Sequence, residues 1–486
     1  MSALKQLTLL HSNDLHGDFL AESIDQELIG GVSMLSGYIN KVRQEEKNTL
    51  YCIAGDMFRG SIIDSEYKGV STIEIMNMIS PDVVTLGNHE IDYGVAHLLF
   101  LEKCAKFPII NANLYIKSNY TRLFKPHFIK EIGGMKILFI GIITETVLRA
   151  TKNESSIGSL VDVYEAVDEI GRICNAYRTM DIDLTVLLTH IGFEQDKELA
   201  RLLNPAWGID IIIGGHSHTL IEEPVIVNGI TIVQAGTGTN QIGRFDLVVD
   251  TNQNCIHTCK WQCIPINEAN CPKDEYVNQM ITSYKKETDK KYNRLICRMQ
   301  RQLTHPTRIR QTEIGSLFAD AIAKTQNLDA MFLGSGSIRT DALGPIVTYS
   351  DLVIAFPYDG PLYMLKVTGS QLKNMIRYML RDELWEGKIN SCFQISNRLG
   401  ITYSLKKKEF LRFTFDEVVL DEDRFYKIGV MKYHYQNFES YFGFPIEEID
   451  KNSQNIIATS IRDILEEYLM THPMIDYEND NRLNIV

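Results

Sequence analysis

The 486-residue sequence lacks any apolar run long enough to cross a membrane. Its longest apolar stretches, such as residues 137–143, fall far short of the roughly 20 residues that span a bilayer. Positive charge is also scarce, because 49 lysines and arginines face 62 aspartates and glutamates, for a net charge of −13. Nucleic-acid duplexes are bound through broad basic surfaces. We therefore expect neither a membrane nor a nucleic-acid duplex as partner, and the composition leaves the oligomeric state open.

The sequence also lacks a cysteine framework and a recognisable leader. The nine cysteines are odd in number and contain no C-x-x-C pair, unlike the cysteines of a disulfide-stapled domain. The N-terminal stretch M-S-A-L-K-Q-L-T-L-L has one lysine and only a short apolar segment, which predicts no signal peptide. Free thiols are typical of a reducing compartment. The sequence therefore predicts a cytoplasmic protein.

The length predicts more than one domain, because a single hydrophobic core usually stops growing at roughly 250 to 300 residues. Through residue 270, short apolar runs alternate with helical patterns, which is typical of an α/β domain. From residue 273 to 299 the chain is charged, with one apolar helical face. We predict an α/β domain at 1–270, a linker helix at 271–300 that belongs to neither core, and a second domain at 301–486.

Seven polar side chains lie where an apolar run of the first domain ends. They are Asp14, His16, Asp56, Asn88, His190, His216 and His218. In open α/β sheets, ligands bind at this end of the strands. Each residue alone has an ordinary alternative as a helix cap, a turn residue or a buried histidine. His216 and His218 alternate with one serine, so an extended chain would point both rings to the same side.

Together these residue types predict a metal site. Carboxylate, imidazole and amide ligands suit Zn²⁺, Mn²⁺ or Co²⁺, and the motifs contain no cysteine for a thiolate site. Seven ligands are too many for one tetrahedral ion, but they fit two ions that share a carboxylate, an arrangement used to hydrolyse phosphate esters. His89 lies next to the ligand Asn88, and Asp92 follows three residues later. We predict His89 as the catalytic group at an oxygen of the reacting phosphate, oriented by Asp92.

The order N-D-L-H-G, A-G-D, G-N-H-E-I-D, T-H and G-H-S-H resembles the calcineurin-like metallophosphatases. It resembles more closely the two-domain 5′-nucleotidase family, which includes bacterial UDP-sugar hydrolases, ecto-5′-nucleotidase and 2′,3′-cyclic nucleotide phosphodiesterases. The resemblance implies an α/β fold: a layered α/β/β/α metallophosphatase domain, a linker helix and a smaller α+β substrate-binding domain. It also implies that one ion is held by Asp14, His16, Asp56 and His218. The second ion would be held by Asp56, Asn88, His190 and His216, with His89 and Asp92 as the catalytic dyad.

In the second domain, the resemblance implies three substrate-binding residues. G-S-G-S-I-R ends in Arg339, T-R-I-R contains Arg308, and F-P-Y-D-G contains Tyr358, which would stack on a nucleobase. Two positions depart from the family pattern. Gly334 replaces an asparagine, and Phe442 replaces an aspartate that binds ribose hydroxyls, which removes a source of ribose recognition.

The resemblance implies a metallophosphoesterase that hydrolyses nucleoside 5′-monophosphates or related nucleotides, with a small-molecule substrate as its partner. A UDP-sugar hydrolase or a 2′,3′-cyclic nucleotide phosphodiesterase of the same family is an alternative. A noncatalytic, metal-containing nucleotide-binding protein is an alternative of another class. A substrate panel distinguishes the enzymes from one another, and substitution of His89 distinguishes an enzyme from a binding protein.

Overall fold

A computed structural model describes residues 3–24, 27–116, 119, 121–144, 157–160, 163–389, 391–478 and 482–486. The chain divides into two compact units, Met1–Thr288 and Asp289–Val486. The boundaries at residues 270 and 300 remain predictions from the sequence.

The first unit contains two six-stranded sheets. In the first sheet, the strands run in the order Cys255–Pro265, Gln241–Asp250, Leu4–Ser12, Thr49–Ala54, Val83–Thr85 and Ile109–Ile110. In the second, the order is Val225–Val227, Ile230–Val233, Ile211–Ile213, Leu184–His190, Met135–Ile143 and His127–Ile132. The four strands from Leu4–Ser12 to Ile109–Ile110 are parallel, as are the central strands of the second sheet. Their carboxyl ends therefore share one edge of each sheet.

Helices cover the outer face of each sheet. Among the described residues, the helices of this unit are Val32–Glu45, Ile62–Tyr67, Val70–Ile79, Val95–Cys104, Val163–Ala176, Phe193–Leu202 and the helix Glu275–Tyr292, which extends past the unit boundary. Short strands complete the unit: Glu22–Ile24, Glu27–Ile29, Leu114–Ile116, Thr121–Arg122 and Ile157–Leu160.

Alternation along the strands divides the apolar side chains between one core that lies between the two sheets and two cores beneath the helices that cover each sheet. Leu7 and Leu9 point into the core between the two sheets, where they join Phe139 and Val186. Leu10 faces the opposite way, toward the helices that cover the first sheet. A strand with period two buries both faces only when each face is covered. This confirms the predicted α/β/β/α layering.

The helix Glu275–Tyr292 differs from the prediction that the linker helix belongs to neither core. Val277 and Ile281 on its apolar face are buried in a core of the first unit, and Met280 and Tyr284 pack against that core. Asp274 just before the helix accepts hydrogen bonds from Ser36 and Asn40 of the helix Val32–Glu45. The charged composition concealed this packing, because a few apolar residues on one helical face are enough to join a core.

The second unit is a smaller α+β assembly, as predicted. Its five-stranded sheet has the order Phe393–Ile395, Ala330–Gly334, Phe425–Met431, Leu362–Thr368 and Asn455–Ala458. A four-stranded sheet contains Val418–Val419, Glu409–Phe415, Leu399–Ser404 and Leu483–Ile485, and smaller sheets pair Ile346–Thr348, Leu295–Met299 and Met474–Ile475, and Leu303–Thr304 with Ala342–Leu343. The helices are Glu313–Thr325, Tyr349–Ala355, Gly369–Met379, Asp382–Trp385, Lys432–Gln436, Phe438–Phe442 and Ile461–Thr471.

Within the described part of the chain, none of the helices combines the length and the apolar character needed to span a bilayer.

Candidate metal centre and ligand cavity

The seven predicted metal ligands lie at the carboxyl ends of strands or on the loops that follow them. Asp14 and His16 follow the strand that ends at Ser12, Asp56 follows the strand that ends at Ala54, and Asn88 follows the strand that ends at Thr85. From the second sheet come His190, the last residue of its strand, and His216 and His218, which follow Ile213. The two sheets thus contribute ligands to one edge of the first unit.

Ligand atoms of six of these residues, all but Asn88, fall with a ring nitrogen of His89 into three overlapping groups, each with its atoms within 4.8 Å of one another. The groups are Asp14, His16 and His218; His16, Asp56 and His89; and Asp56, His190 and His216. Asp56 and His16 each occur in two groups. Neighbouring ligand atoms in a metal coordination shell stand about 3 to 4 Å apart, given metal–ligand bonds of roughly 2 Å, so the spacing suits two adjacent ions.

The sequence predicted that His216 and His218 point to the same side of an extended strand, but in the structure they do not. The strand ends at Ile213, and both histidines have positive φ angles, 80° and 53°. Their rings therefore enter different groups, one with Asp56 and the other with Asp14. The prediction was wrong because it extended the strand across the two glycines before His216.

Positive φ is a shared property of this site. Five of the predicted ligands adopt it: Asp14, His16, Asp56, His216 and His218. Non-glycine residues in this region cost free energy, on the order of 1 kcal/mol or more each, and such strain concentrates at functional sites. The backbone of these loops is therefore destabilised, and the strained conformation directs these side chains toward one another.

The ring of His190 is oriented by the main chain. Its Nδ1 lies 2.8 Å from the carbonyl oxygen of Ala54, so Nδ1–H donates there and Nε2 is directed toward two carboxylates. Nε2 lies 3.0 Å from Asp56 Oδ2 and 3.8 Å from Asp14 Oδ1. Burial alone would lower the pKa of His190, but the two carboxylates outweigh it and raise the pKa to about 9. A site that attracts a proton this strongly attracts a divalent cation for the same electrostatic reason.

Two further observations fit a divalent cation. The Nε2 atoms of His16 and His218 lie 3.0 Å apart, and Nδ1 of His16 faces the carbonyl oxygen of Phe58 at 3.3 Å. Asn88 Oδ1 is buried and has no hydrogen-bond partner among the described residues, which normally costs free energy. Converging imidazole nitrogens and an unpaired amide oxygen are the donors expected of a metal shell.

His89 and Asp92 form the predicted pair. His89 Nδ1 lies 2.7 Å from Asp92 Oδ2, and the His89 ring is partly exposed. The hydrogen bond to Asp92 raises the pKa of His89 despite burial. Arg59, which sequence reasoning missed, donates from Nε to the same Asp92 oxygen at 2.8 Å. Its signal was its place three residues after Asp56, on the same loop.

Glu90, a second residue that sequence reasoning missed, holds the main chain of two loops through hydrogen bonds. The buried Glu90 carboxylate accepts the main-chain N–H groups of Asp56, Met57 and Gly87 at 3.1, 2.7 and 2.7 Å. Burial, together with the charge of Asp56, raises the pKa of Glu90 to about 7. Its signal was its position directly after Asn88 and His89 in G-N-H-E.

In the second unit, the three predicted substrate-binding residues line one cavity of about 500 Å³. Arg339 Nη2 donates to the hydroxyl of Tyr358 at 2.8 Å, and its guanidinium lies 5.1 Å from the centre of that ring. The cavity is also lined by Arg308, Gly334, Gly336, Ser337, Ser391, Cys392, Phe393, Met431, Tyr433, His434 and Tyr441. Two guanidinium groups and several aromatic rings make it suited to an anionic ligand with a flat ring.

Comparison with known proteins agrees with this geometry. The family model for calcineurin-like phosphoesterases matches residues 7–220, and the model for the 5′-nucleotidase C-terminal domain matches residues 290–444. The chain belongs to the two-domain 5′-nucleotidase family. As a member of this family it is a metallophosphoesterase, and the family implies divalent metal ions.

Relatives of this family match nearly the whole chain. The mouse (Mus musculus) 5′-nucleotidase is 25% identical over 485 residues, covering 88% of this chain and 82% of the relative. The crystal structure of a 5′-nucleotidase precursor from Thermus thermophilus has a TM-score of 0.63 at 20% identity, covering 99% of both chains. The Haemophilus influenzae NAD nucleotidase has a TM-score of 0.55 at 21% identity, covering 99% of this chain and 100% of that one. These structures share the two-domain 5′-nucleotidase fold.

The structure also shows the surroundings of Phe442 and Gly334, the two positions at which this member departs from the 5′-nucleotidase family pattern. Phe442 is fully buried in a core of the second unit and stacks on Phe393 with ring centres 4.9 Å apart. It therefore presents no polar group to a ligand. Gly334 lies at the end of the strand Ala330–Gly334 and lines the cavity.

Proposed function

We propose that this protein hydrolyses nucleoside 5′-monophosphates or related nucleotides to a nucleoside and phosphate, using two divalent cations. The observation that carries the proposal is the convergence of Asp14, Asp56 and His216, from far-apart parts of the chain, within overlapping ligand groups. The printed names of the relatives, 5′-nucleotidases and an NAD nucleotidase, support a nucleotide as the substrate.

The proposed ligands divide between two ions. Asp14, His16, Asp56 and His218 would hold one, and Asp56, Asn88, His190 and His216 the other. The spacing within the groups and the unpaired Oδ1 of Asn88 support this division. The donor set of nitrogen and oxygen atoms suits Zn²⁺, Mn²⁺ or Co²⁺.

When bound, such a pair of cations lowers the pKa of water to supply hydroxide and neutralises phosphate oxygens. His89 is the proposed catalytic residue, since its Nδ1 is held by Asp92 and Nε2 would then meet an oxygen of the reacting phosphate. Asp92 is shared with Arg59, which limits the rotation of the carboxylate. These residues therefore fix the direction in which His89 donates its hydrogen bond.

Arg308, Arg339 and Tyr358 are the proposed substrate-binding residues. A planar guanidinium grips phosphate oxygens through two hydrogen bonds, and a tyrosine ring stacks on a flat heterocycle. The position of Phe442 in the core favours a second candidate, in which the preferred substrate is not a simple ribonucleoside monophosphate. A UDP-sugar or a 2′,3′-cyclic nucleotide would then be hydrolysed by the same centre.

The proposed location is the cytoplasm. All nine cysteines are free thiols, and thiols persist where the environment is reducing. The proposed partner is a small-molecule nucleotide. The proposed domains are the catalytic domain 1–270, the helix 271–300 and the substrate-binding domain 301–486.

A substrate and metal panel tests the function. After chelation and reloading with Zn²⁺, Mn²⁺, Co²⁺ or Mg²⁺ in turn, the products are separated and measured: phosphate and nucleoside from AMP and UMP, UMP and glucose 1-phosphate from UDP-glucose, and adenosine 2′- or 3′-monophosphate from 2′,3′-cyclic AMP. We expect metal-dependent release from at least one nucleoside monophosphate. Turnover restricted to UDP-glucose or the cyclic nucleotide favours the second candidate. Nucleotide binding with no turnover under any metal identifies a noncatalytic binding protein and contradicts the proposal.

A further inference from the structure

One histidine of the second unit has no part in the chemistry described so far. His434 lines the same cavity as Arg308, Arg339 and Tyr358. Its side chain is buried, with 7% of its surface exposed. Buried histidines normally have hydrogen-bond partners for their ring nitrogens, yet His434 Nδ1 has none among the residues that the structure describes.

Aromatic neighbours hold the His434 ring in place. The ring of Phe393 lies 4.8 Å away at 64°, and the ring of Tyr441 lies 4.8 Å away at 89°. Both are edge-to-face contacts, the geometry that aromatic pairs prefer. Tyr441 is itself fixed by a hydrogen bond from its hydroxyl to that of Tyr433, at 3.4 Å. The imidazole nitrogens therefore point in set directions before any ligand arrives.

The proton of the His434 ring belongs on Nε2. Burial lowers the pKa of His434 to about 4, so the ring is neutral near pH 7 and carries a single N–H. On Nδ1 that proton would be a buried donor with no acceptor, which is costly. Nε2 lies on the side of Gly334, which lines the same cavity. There the N–H is available to an acceptor on a ligand.

Gly334 and His434 are matched in shape. A Cβ atom added at Gly334 would lie 2.3 Å from Cε1 and 2.7 Å from Nε2 of His434. Close-packed interiors do not accommodate contacts this short without displacing one partner. The absence of a side chain at position 334 is thus what allows the imidazole to reach the cavity wall.

We propose that His434 is a specificity-determining residue, which donates a hydrogen bond from Nε2 to an acceptor atom on the edge of a heterocyclic ring bound in this cavity. The inference rests on the proposed function, since it identifies that ring as the base of the nucleotide. Bases that place a carbonyl oxygen or an unprotonated ring nitrogen at this edge satisfy the donor. A base that places an N–H group there leaves the donor unpaired and is rejected.

Substitution of His434 in the full-length, metal-loaded protein tests the donor. His434→Phe keeps a flat ring but removes the N–H. We expect it to lower the ratio of kcat/KM for the best nucleoside 5′-monophosphate to that for ribose 5-phosphate by about tenfold or more, mainly through KM. His434→Gln places an amide N–H near the Nε2 position and should retain the ratio within about threefold. His472→Phe, a histidine of the same unit that stacks on Tyr468, is the matched control.

The pairing with Gly334 gives an independent test. Gly334→Ala should lower the same ratio, because its methyl group displaces the imidazole. Adding His434→Ala should cause little further loss, since coupled residues are not additive. Gly360→Ala, where a Cβ meets nothing within 4 Å, is the control for an alanine in place of glycine. Additive losses from the two substitutions would show that the residues act separately and would overturn the inference.

Calorimetric titration with adenosine, guanosine, cytidine and uridine separates this inference from the proposed function, because binding needs no turnover. At least one nucleoside should bind the unmodified protein and should bind His434→Phe about tenfold more weakly. Equal binding by both proteins, or no nucleoside binding by the unmodified protein, overturns the inference. Nucleoside binding that depends on His434, without hydrolysis of any nucleotide, overturns the proposed function alone.

Discussion

At the scale of single residues, two histidines of the site each have one ring nitrogen held by a hydrogen bond to a fixed partner. His190 is held by the carbonyl of Ala54, and His89 is held by Asp92. One ring nitrogen is thereby committed and the other is left for chemistry. This division sets the direction in which His190 meets the proposed metal ion and the direction of the hydrogen bond that we propose for His89.

Replacement of His89 should affect turnover more than binding. His89→Asn removes the imidazole and leaves the proposed metal ligands intact, so kcat should fall by about 10² to 10⁴-fold with a small change in KM. Steady-state kinetics at saturating metal measures this. His97→Asn, a partly exposed histidine of the helix Val95–Cys104, serves as the control. An unchanged kcat for His89→Asn would contradict the assigned role.

Glu90 should be required for the shape of the metal centre. In Glu90→Gln, an amide NH₂ group replaces one of the oxygens that accept main-chain N–H groups, leaving donors unpaired. We expect a loss of about 1 to 3 kcal/mol in the free energy of unfolding and roughly 10 to 100-fold weaker metal binding. Urea denaturation and calorimetric metal titration measure the two effects. The exposed Glu194→Gln is the control, and wild-type metal affinity in Glu90→Gln would exclude this role.

At the scale of elements, loops supply the site and strands supply its rigidity. The strands that carry the loops are buried on both faces, so the loop ends are fixed in position. The loops then adopt positive φ at Asp14 and Asp56. At Gly87 a Cβ would lie 2.2 Å from Asp56 Oδ1, so the main chain approaches this ligand more closely than any side chain allows.

The helix Glu275–Tyr292 should contribute to the stability of the first unit. Ile281 is 3% exposed and lies in a core of that unit. Ile281→Ala should therefore lower the free energy of unfolding by about 2 to 5 kcal/mol through lost burial and a cavity. The change in urea midpoint measures it, with the exposed Tyr276→Ala on the same helix as the control. If Ile281→Ala lowers the free energy of unfolding no more than the control does, the helix is a linker that does not contribute to this core.

At the scale of the whole molecule, two units of different architecture contain different candidate sites. The first holds the ligand groups and the second holds the cavity of aromatic rings and arginines. With a net charge of −13, the sequence predicts no broad basic surface. A small anionic ligand would therefore bind at local sites of positive charge. Charges that are buried without full compensation also make the folded state sensitive to pH.

Asp210 should make the folded state less stable as pH rises. Burial raises its pKa to about 7, although its carboxylate accepts the N–H of Thr185 at 2.9 Å. The folded protein therefore retains a proton that the unfolded chain loses above about pH 4, so stability is lost as pH rises toward about 7. Asp210→Asn should gain about 1 to 3 kcal/mol relative to the unmodified protein between about pH 5 and pH 8. Urea unfolding at both pH values measures this, with the exposed Asp181→Asn as control; a difference independent of pH would be inconsistent with the raised pKa.

The sequence by itself determined the α/β class of the first unit and the family, and the resemblance to that family implied the α/β/β/α layering. Apolar runs that alternate with helical patterns indicate strands alternating with helices, and this depends on local periodicity alone. The motifs N-D-L-H and G-N-H-E also located the candidate ligands, because strand ends meet at one sheet edge whatever the details of the loops.

Only the tertiary structure decided the rest. It separated His216 from His218, attached the helix Glu275–Tyr292 to a core and placed Arg59 and Glu90 behind the site. It also placed His434 against Gly334, which is far away in the chain. Each of these depends on backbone conformation in a loop or on contact between segments that are distant in the sequence. Neither loop conformation nor such a contact produces a periodic pattern in the sequence. Local patterns determine which face of an element is buried, whereas the approach of two segments is fixed by packing of the whole fold.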